Sequence, residues 1–154
     1  MKNFSLSQDK HFTRESTSLF GERGERLALE HLLKENYRVA CANFKTPVGR
    51  NRLGAIVTGE IDLIAYDKSF LCFIEVKTRS SGEFASPVAA VDLRKQRQII
   101  RVARMYRRIF HLQAAKIRYD VVSIILKNDS KPEIELLKNY FGERKFEKKF
   151  WLED

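Results

Sequence analysis

The sequence predicts an α/β domain in which a mixed sheet of four or five strands is flanked by two helices. Segments 18–36 and 92–111 repeat apolar residues at helical spacing. Short apolar runs bounded by polar residues lie between and after these segments, and such runs are typical of buried strands. The chain has 154 residues, a length that suits one domain with a sizeable core.

The stretch 59–79 predicts a β-hairpin in the middle of the sheet. Its two apolar runs, 61–66 and 70–76, are separated by a polar turn at 67–69. Both runs are apolar on both faces, as expected for strands of a sheet that is covered on both sides.

Three charged residues stand out against these runs: Asp62, Glu75 and Lys77. An unpaired buried charge is strongly unfavourable, so their presence indicates a use. Whether they meet depends on the hairpin loop, because successive side chains point to opposite faces. A two-residue loop at 67–68, or a four-residue loop, places Asp62 on the face of Glu75 and Lys77. A three-residue loop without a bulge sends Asp62 to the other face.

Such a cluster has a definite chemical use. The carboxylates of Asp62 and Glu75, with the backbone carbonyl of Val76, would form an all-oxygen site suited to Mg²⁺ or Mn²⁺. Such a metal polarises a phosphodiester and lowers the pKa of a bound water, and Lys77 would supply a positive charge beside the reacting groups. The alternative is that Glu75 and Lys77 form a surface ion pair at a frayed strand end, with Asp62 a charge near the turn.

The composition points to a polyanionic partner. The formal charge is +9 and the pI is about 9.7, a balance that favours nucleic acid. Cys41 and Cys72 lie in apolar surroundings without metal-ligand spacing, so we expect reduced core residues of a cytoplasmic protein. We see no signal peptide and no apolar span of about twenty residues, so neither secretion nor membrane insertion is predicted.

Glu25 in the first predicted helix has two interpretations. With the helix beginning near Ser18 or Gly21, Glu25 would lie where an acid interacts favourably with the positive end of the helix dipole. Alternatively, Glu25 reaches the cluster as a third carboxylate. The residues alone leave both interpretations open.

A strand at 37–44 leads into a predicted loop at 45–58. The loop has breaker residues and cations: Lys45, Pro47, Gly49, Arg50, Arg52 and Gly54. It is either a solvated connection or a flexible basic flap over the site.

The second helix, with Asp92 as its N-cap, carries a stripe of arginines. On a helical wheel the stripe lies opposite the apolar side that includes Ile99, Val102 and Tyr106. Like charges at this spacing destabilise a helix, so we interpret the stripe as a phosphate-binding ridge. A solvated face and an anionic membrane surface are the alternatives. The stripe consists of Arg94, Arg97, Arg101, Arg104 and Arg108.

Lys95 on the same helix projects among the apolar positions and therefore faces the protein. It is either a lysine whose amine reaches back to solvent or a residue that points at the carboxylate cluster or a bound phosphate.

The C-terminal third continues with a buried strand at 116–126, in which Asp120 is an unexplained charge. A further strand is predicted at 134–137, and the end of the chain interleaves aromatic and basic residues. We divide the chain into a flexible tail at 1–17, a domain at 18–127 and a C-terminal extension at 128–154.

Taken together, these residues resemble a known family. The motifs that carry the resemblance are Gly24-Glu25-x-Leu27-Ala28, Asn43 at a strand end, Gly59-Glu60-Ile61-Asp62-Leu63-Ile64, Phe73-Ile74-Glu75-Val76-Lys77-Thr78-Arg79, Ala90-Val91 before Lys95, and Tyr119-Asp120-Val121-Val122. This set spans about residues 18–126. It is similar to the YraN-like family of the restriction-endonuclease-like (PD-(D/E)xK) superfamily and close in pattern to archaeal Holliday-junction resolvases.

The resemblance implies a restriction-endonuclease-like mixed β-sheet core flanked by helices, and a Mg²⁺-dependent nuclease. It implies Asp62, Glu75 and Lys77 as the catalytic set and Glu25 as the helical acid. The stretch 45–58 is longer than the connection typical of the family.

We therefore expect a metal-dependent endonuclease that hydrolyses phosphodiester bonds, with DNA favoured over RNA and branched structures as candidate substrates. The residues expected to contact nucleic acid are Arg79, Arg94, Lys95, Arg97, Arg101, Arg104 and Arg108. Paired cuts would require a symmetric homodimer. The alternatives are a catalytically silent nucleic-acid-binding module and a protein-only scaffold.

Overall fold

The computed structural model describes residues 8–82 and 91–144, and it describes the side chains of the first helix from Ser18 onwards. Ala90 of the Ala90-Val91 motif and the aromatic and basic end of the chain, 145–154, lie outside the described residues, as does the start of the predicted N-terminal tail.

The described chain forms two helices and five strands. In order they are α1 (Gln8–Lys34), β1 (Arg38–Arg50), β2 (Ile56–Asp67), β3 (Phe70–Ser80), α2 (Leu93–Ile109), β4 (Lys116–Leu126) and β5 (Glu133–Phe141).

The five strands form one sheet in the order β1-β2-β3-β4-β5. Strands β3 and β4 are parallel, and every other neighbouring pair is antiparallel. A parallel pair needs a crossover, and α2 lies within that connection. The prediction of a mixed sheet flanked by two helices is confirmed, and the arrangement is consistent with a restriction-endonuclease-like core.

Each face of the sheet buries one helix. On one face, Ile99 of α2 packs in a cluster with Phe73. On the other face, Ala28 of α1 packs in a cluster with Ile74. Because Phe73 and Ile74 are neighbours on β3, the apolar residues of a central strand alternate between the two clusters. This explains why the hairpin runs are apolar on both faces.

Helix α1 begins earlier than the apolar spacing predicts. The structure starts it at Gln8 rather than near Ser18, so 8–17 of the predicted tail are helical. This first part lacks an apolar stripe, which is why periodicity missed it. Once a helix is nucleated, each added residue contributes a hydrogen bond at little further cost. Glu25 consequently lies within the helix and far from its first turn, so the dipole interpretation is wrong.

The predicted loop at 45–58 is mostly strand. Strand β1 continues to Arg50 and β2 begins at Ile56, and the two remain paired to their ends. Pro47 and Gly49 are accommodated because β1 is an edge strand and its register shifts between them. We call residues 45–60 the β1–β2 arm, since β2 pairs with β3 only from Leu63 onward.

Three smaller findings complete the fold. Strand β5 lies within 128–154, assigned from the sequence to a C-terminal extension, and it pairs with β4. Both cysteines are free thiols; Cys72 is buried as predicted, whereas Cys41 on edge strand β1 is only half-buried. Of the helices in the described ranges, neither has the length and apolar character needed to cross a membrane.

Candidate active site

The β2–β3 hairpin brings Asp62 opposite Glu75. Its turn consists of residues 68–69, and the recorded pairing ends with Leu63 opposite Ile74. Asp62 and Glu75 are the next residues on the two strands, and the negative charge of Asp62 acts on the Glu75 carboxyl group, so the two are close together. The even loop length required for clustering is confirmed, and it gives the direct opposition expected of the four-residue alternative.

Asp62 is anchored to the backbone of β3. Its Oδ2 atom accepts a hydrogen bond of 2.8 Å from the N–H of Val76. In a strand, the N–H and C=O of one residue point to the same edge. The Val76 carbonyl therefore faces the side on which the Asp62 carboxylate lies, as the predicted all-oxygen site requires.

Glu75 is buried, with 4% of its surface exposed. Its Oε1 atom lies 3.5 Å from Lys95 Nζ and 3.8 Å from Lys77 Nζ. Its Oε2 atom is buried without a hydrogen-bond partner in the described structure. The surface ion-pair alternative is therefore wrong: Glu75 is an interior carboxylate with one oxygen left unsatisfied.

Burial, and then the negative charge of Asp62, raise the pKa of Glu75 to about 7, and a hydrogen bond that protonated Glu75 shares with Asp62 adds to the rise. The positive charges of Lys95 and Lys77 oppose this rise. A carboxyl group that ionises near neutral pH is typical of sites in which the charged form is used.

Lys95 points at the cluster, as one of its two sequence interpretations proposed. Helix α2 begins at the predicted N-cap, where Asp92 Oδ1 accepts a 2.8 Å hydrogen bond from the Lys95 N–H. This cap fixes the first turn of α2 over the sheet. The Lys95 side chain thereby reaches Glu75 from the helix while Lys77 reaches it from β3.

Glu25 approaches from the opposite face of the sheet, which α1 covers. The approach depends on Gly24, since a Cβ there would lie 1.8 Å from Thr78 Oγ1. Burial, and then the charge of Asp62, raise the pKa of Glu25. Glu25 is thus near enough to Asp62 for their charges to interact.

Two residues near this cluster had no role in the sequence analysis beyond their place in a motif. In the orientation that satisfies its amide, Asn43 donates to Glu25 Oε2 and to Glu60 Oε1, each at 3.2 Å. Asn43 has a φ of 51°, which asparagine tolerates better than most residues. Glu60 could have been predicted from the sequence as a neighbour of the cluster, because it precedes Asp62 by two residues in a strand and so shares its face.

The donors at this site suit a small hard cation. Two carboxylates and a carbonyl are oxygen ligands of the kind that Mg²⁺ and Mn²⁺ prefer. The Oε2 atom of Glu75, which has no hydrogen-bond partner in the described structure, is available to coordinate an ion. Within 8–82 and 91–144, no three His, Cys, Asp or Glu side chains converge closely enough to hold one ion. The oxygen atoms available here are thus those of two carboxylates, Asp62 and Glu75, and of the Val76 carbonyl, and Glu25 does not add a third carboxylate at the same position.

All five arginines of the α2 stripe are exposed. Arg104 is also engaged: its guanidinium lies 3.0 Å from Glu143 Oε2, while Arg107 lies 3.0 Å from Glu143 Oε1. Arg79 is half-buried on β3, two residues beyond Lys77 and therefore on the same face.

Asp120, unexplained in the sequence, belongs to a separate buried network. Arg118 binds it with two hydrogen bonds of 2.8 Å, and the Asn139 N–H donates to it at 2.9 Å. Arg118 also donates to Asp67 and Tyr37, each at 2.8 Å. Because Asp120 is satisfied by these partners, we assign it a structural role.

A family model and the relatives named below agree on one protein family. The uncharacterised protein family UPF0102 matches residues 24–124. A UPF0102 protein of Desulfosudis oleivorans is 38% identical over 122 residues, which cover 79% of this chain and 89% of the relative. One of Koribacter versatilis is 40% identical over 124 residues, covering 79% and 78%. One of Chlorobium limicola is 41% identical over 105 residues, covering 68% and 74%.

Proposed function

The chain belongs to the uncharacterised protein family UPF0102, and we propose that it is a divalent-metal-dependent endonuclease that hydrolyses phosphodiester bonds in nucleic acid, with DNA favoured over RNA. We further propose that its sheet is of the restriction-endonuclease-like (PD-(D/E)xK) type, as in archaeal Holliday-junction resolvases. The support is a five-stranded mixed sheet between two helices, with Glu75-Val76-Lys77 on a central strand beside Asp62.

One observation carries the proposal: the environment of Glu75. An interior carboxylate is strongly unfavourable unless it is paired and hydrogen-bonded. Here two lysines lie near Oε1, Oε2 lacks a hydrogen-bond partner among the described residues, and Asp62 adds a second negative charge. A divalent cation would compensate both carboxylates at once. A purely structural site gains nothing from this arrangement.

Asp62, Glu75 and the Val76 carbonyl would hold Mg²⁺ or Mn²⁺, and Lys77 and Lys95 would flank them. The ion, when bound, polarises the phosphodiester and lowers the pKa of a bound water. The two lysines supply positive charge where negative charge develops in the transition state. Glu25 adds negative charge beside Asp62 and so tunes the affinity for the cation.

The arginine stripe supplies the substrate-binding part of the proposal. Its exposed guanidinium groups lie on the helix that also carries Lys95. Guanidinium groups bind phosphates with paired hydrogen bonds. A nucleic-acid backbone lying along α2 would therefore be held beside Glu75. Arg79, on the face of Lys77, extends this positive surface.

The test is cleavage of labelled DNA and RNA, linear and branched, with Mg²⁺ or Mn²⁺. The wild-type protein is compared with Glu75→Ala and with Glu135→Ala, which removes an exposed acid on β5. We expect the wild type and Glu135→Ala to cut at least one substrate, and Glu75→Ala to lose cutting by about a hundredfold or more. Cutting that persists in Glu75→Ala, or no cutting of any substrate, would contradict the proposal.

A catalytically silent nucleic-acid-binding module in repair, recombination or RNA handling is the second candidate. It is favoured by the finding that no three acidic side chains of the described segments converge on one ion position. On this candidate, the wild type and Glu75→Ala bind nucleic acid equally and neither cuts it, with or without a metal.

The proposed endonuclease would work in the cytoplasm. One such cluster cuts one strand, so paired cuts would need a homodimer with two-fold symmetry. Sedimentation of the protein with and without DNA would show whether such a dimer forms.

A further inference from the structure

A cleft lies beside the candidate active site, between α2 and the β1–β2 arm. It has a volume of about 490 Å³. It is lined by Val48 and Val57 on the arm and by four basic residues on α2, namely Arg94, Lys95, Arg97 and Arg101.

The α2 side of the cleft is strongly cationic. Four of its lining residues carry a positive charge, and one lining residue, Asp92, carries a negative charge. Asp92 already accepts a hydrogen bond from the Lys95 backbone as the helix N-cap. The cleft therefore has a positive wall that is suited to a polyanion.

The arm side is aliphatic and is held in place at both ends. At its base, a Cβ on Gly59 would lie 2.4 Å from Val102 Cγ2, so the absence of a side chain allows the arm to pack closely on α2. At its tip, Asn51 Oδ1 accepts hydrogen bonds from the N–H groups of Leu53 and Ala55 at 3.0 and 2.9 Å. The arm is thus an ordered wall and not the mobile flap considered from the sequence.

The cleft leads to the candidate active site. Lys95 lines it, and the Nζ atom of Lys95 lies 3.5 Å from Glu75 Oε1. A ligand that contacts Lys95 in the cleft is therefore separated from the buried carboxylate by the Lys95 side chain alone. The volume lies within the range of about 300–1,000 Å³ found for ligand pockets, so the cleft suits a short stretch of one strand and is too small to enclose a duplex.

Resting on the proposed nuclease function, we propose that this cleft binds the sugar-phosphate backbone of one nucleic-acid strand. The arginines hold the phosphates and the two valines contact the sugars. The substrate class is then single-stranded nucleic acid, or a branched molecule with a single-stranded arm, rather than an intact duplex.

The first test measures binding in EDTA, so that no cleavage occurs. A labelled single-stranded oligonucleotide is compared with the blunt duplex of the same sequence. Val57→Glu places a negative charge in the cleft, and we expect it to lower single-strand affinity about tenfold by repulsion of phosphate. Thr58→Glu is the matched control, because it puts the same charge on the next residue, which points to the opposite face of the arm.

Arg94→Ala combined with Arg101→Ala provides an independent measurement. Losing two phosphate contacts should lower the slope of log affinity against log salt concentration by about 1.4 for a single strand. The matched control is Lys116→Ala combined with Lys131→Ala, which removes two exposed positive charges outside the stripe and the cleft lining and should leave the slope unchanged.

The outcomes distinguish failure of the cleft proposal from failure of the proposed nuclease function. Equal affinity of Val57→Glu and Thr58→Glu, or duplex binding as tight as single-strand binding, overturns the cleft proposal even where Glu75-dependent cutting is found. Selective loss of single-strand binding in Val57→Glu supports the cleft even where no substrate is cut, and in that case the proposed nuclease function alone fails.

Discussion

Lys95 Nζ lies 3.5 Å from Glu75 Oε1, which joins the first turn of α2 to a central strand through a buried carboxylate. This contact couples the helix that carries the arginine stripe to the candidate metal ligands. Because the lysine charge favours the ionised form of Glu75, the position of one helix contributes to the charge state of the site.

Lys95→Met should make Glu75 harder to ionise. An opposite charge at about 4–6 Å lowers the pKa of a carboxyl group by about 1–3 units, so loss of Lys95 should raise the midpoint for Mn²⁺ binding by about one pH unit. Calorimetric titration with Mn²⁺ between pH 5 and 9 checks this. Lys95→Arg should restore the wild-type midpoint, and Lys116→Met, an exposed lysine elsewhere on the sheet, should leave it unchanged. An unchanged midpoint in Lys95→Met would show that the contact has no electrostatic role.

Glu75→Gln should stabilise the metal-free protein at alkaline pH. The pKa of Glu75 is raised from 4.5 to about 7. The folded state therefore keeps its proton to a higher pH than the unfolded chain does, and stability is lost as the pH rises through this window. At pH 8 the variant should unfold with a free energy higher by up to about 3 kcal/mol, and at pH 4 it should match the wild type.

Urea denaturation in EDTA at the two pH values measures this difference. Glu135→Gln, an exposed acid, serves as the control and should differ from the wild type by less than about 0.5 kcal/mol at both values. A destabilised Glu75→Gln at pH 8 would mean that ionised Glu75 supports the fold.

Gly24→Ala should destabilise the protein by about 1–3 kcal/mol. The added Cβ would lie 1.8 Å from Thr78 Oγ1, which forces α1 away from β3. Combining it with Thr78→Ala removes the 1.8 Å contact but keeps the Cβ of residue 78 at 2.9 Å, and so should recover part of the loss. Gly21→Ala, on the same helix with no heavy atom within 4 Å, should be neutral or stabilising by up to about 1 kcal/mol. Thermal unfolding of the four proteins tests the close approach, which fails if both alanine variants behave alike.

Asp120→Ala should be the most damaging change to stability while leaving nucleic-acid binding intact. Asp120 is fully buried, and its removal leaves the Arg118 charge without its two bonds, at a cost of about 3–5 kcal/mol. Asp129→Ala, an exposed acid beyond β4, should cost less than about 0.5 kcal/mol. Urea unfolding measures the loss. If instead affinity for nucleic acid falls at a temperature where the variant is folded, Asp120 belongs to the binding site.

Much of the fold was predictable because apolar residues recur along the sequence at the period of the helix or strand that buries them. The alternation along β3 matched the two clusters that cover its faces, and Asp92 marked the start of α2 by its capping chemistry. The extension of α1 over 8–17 and the strand pairing of the β1–β2 arm were not predicted. Neither segment shows an apolar period in its sequence, so periodicity carries no information about its structure.

For the candidate site, the sequence by itself determined the residue types, their placement on one hairpin and the side of α2 on which Lys95 lies, whereas the contact of Lys95 with Glu75 came from the structure. Only the tertiary structure decided that the turn spans residues 68–69, which sets Asp62 opposite Glu75. It also decided that α1 lies on the other face, so that Glu25 interacts with Asp62 by charge. The physical reason is that hydrophobic patterning specifies which side of an element is buried, whereas register and the approach of one element to another depend on single close contacts such as Gly24 with Thr78.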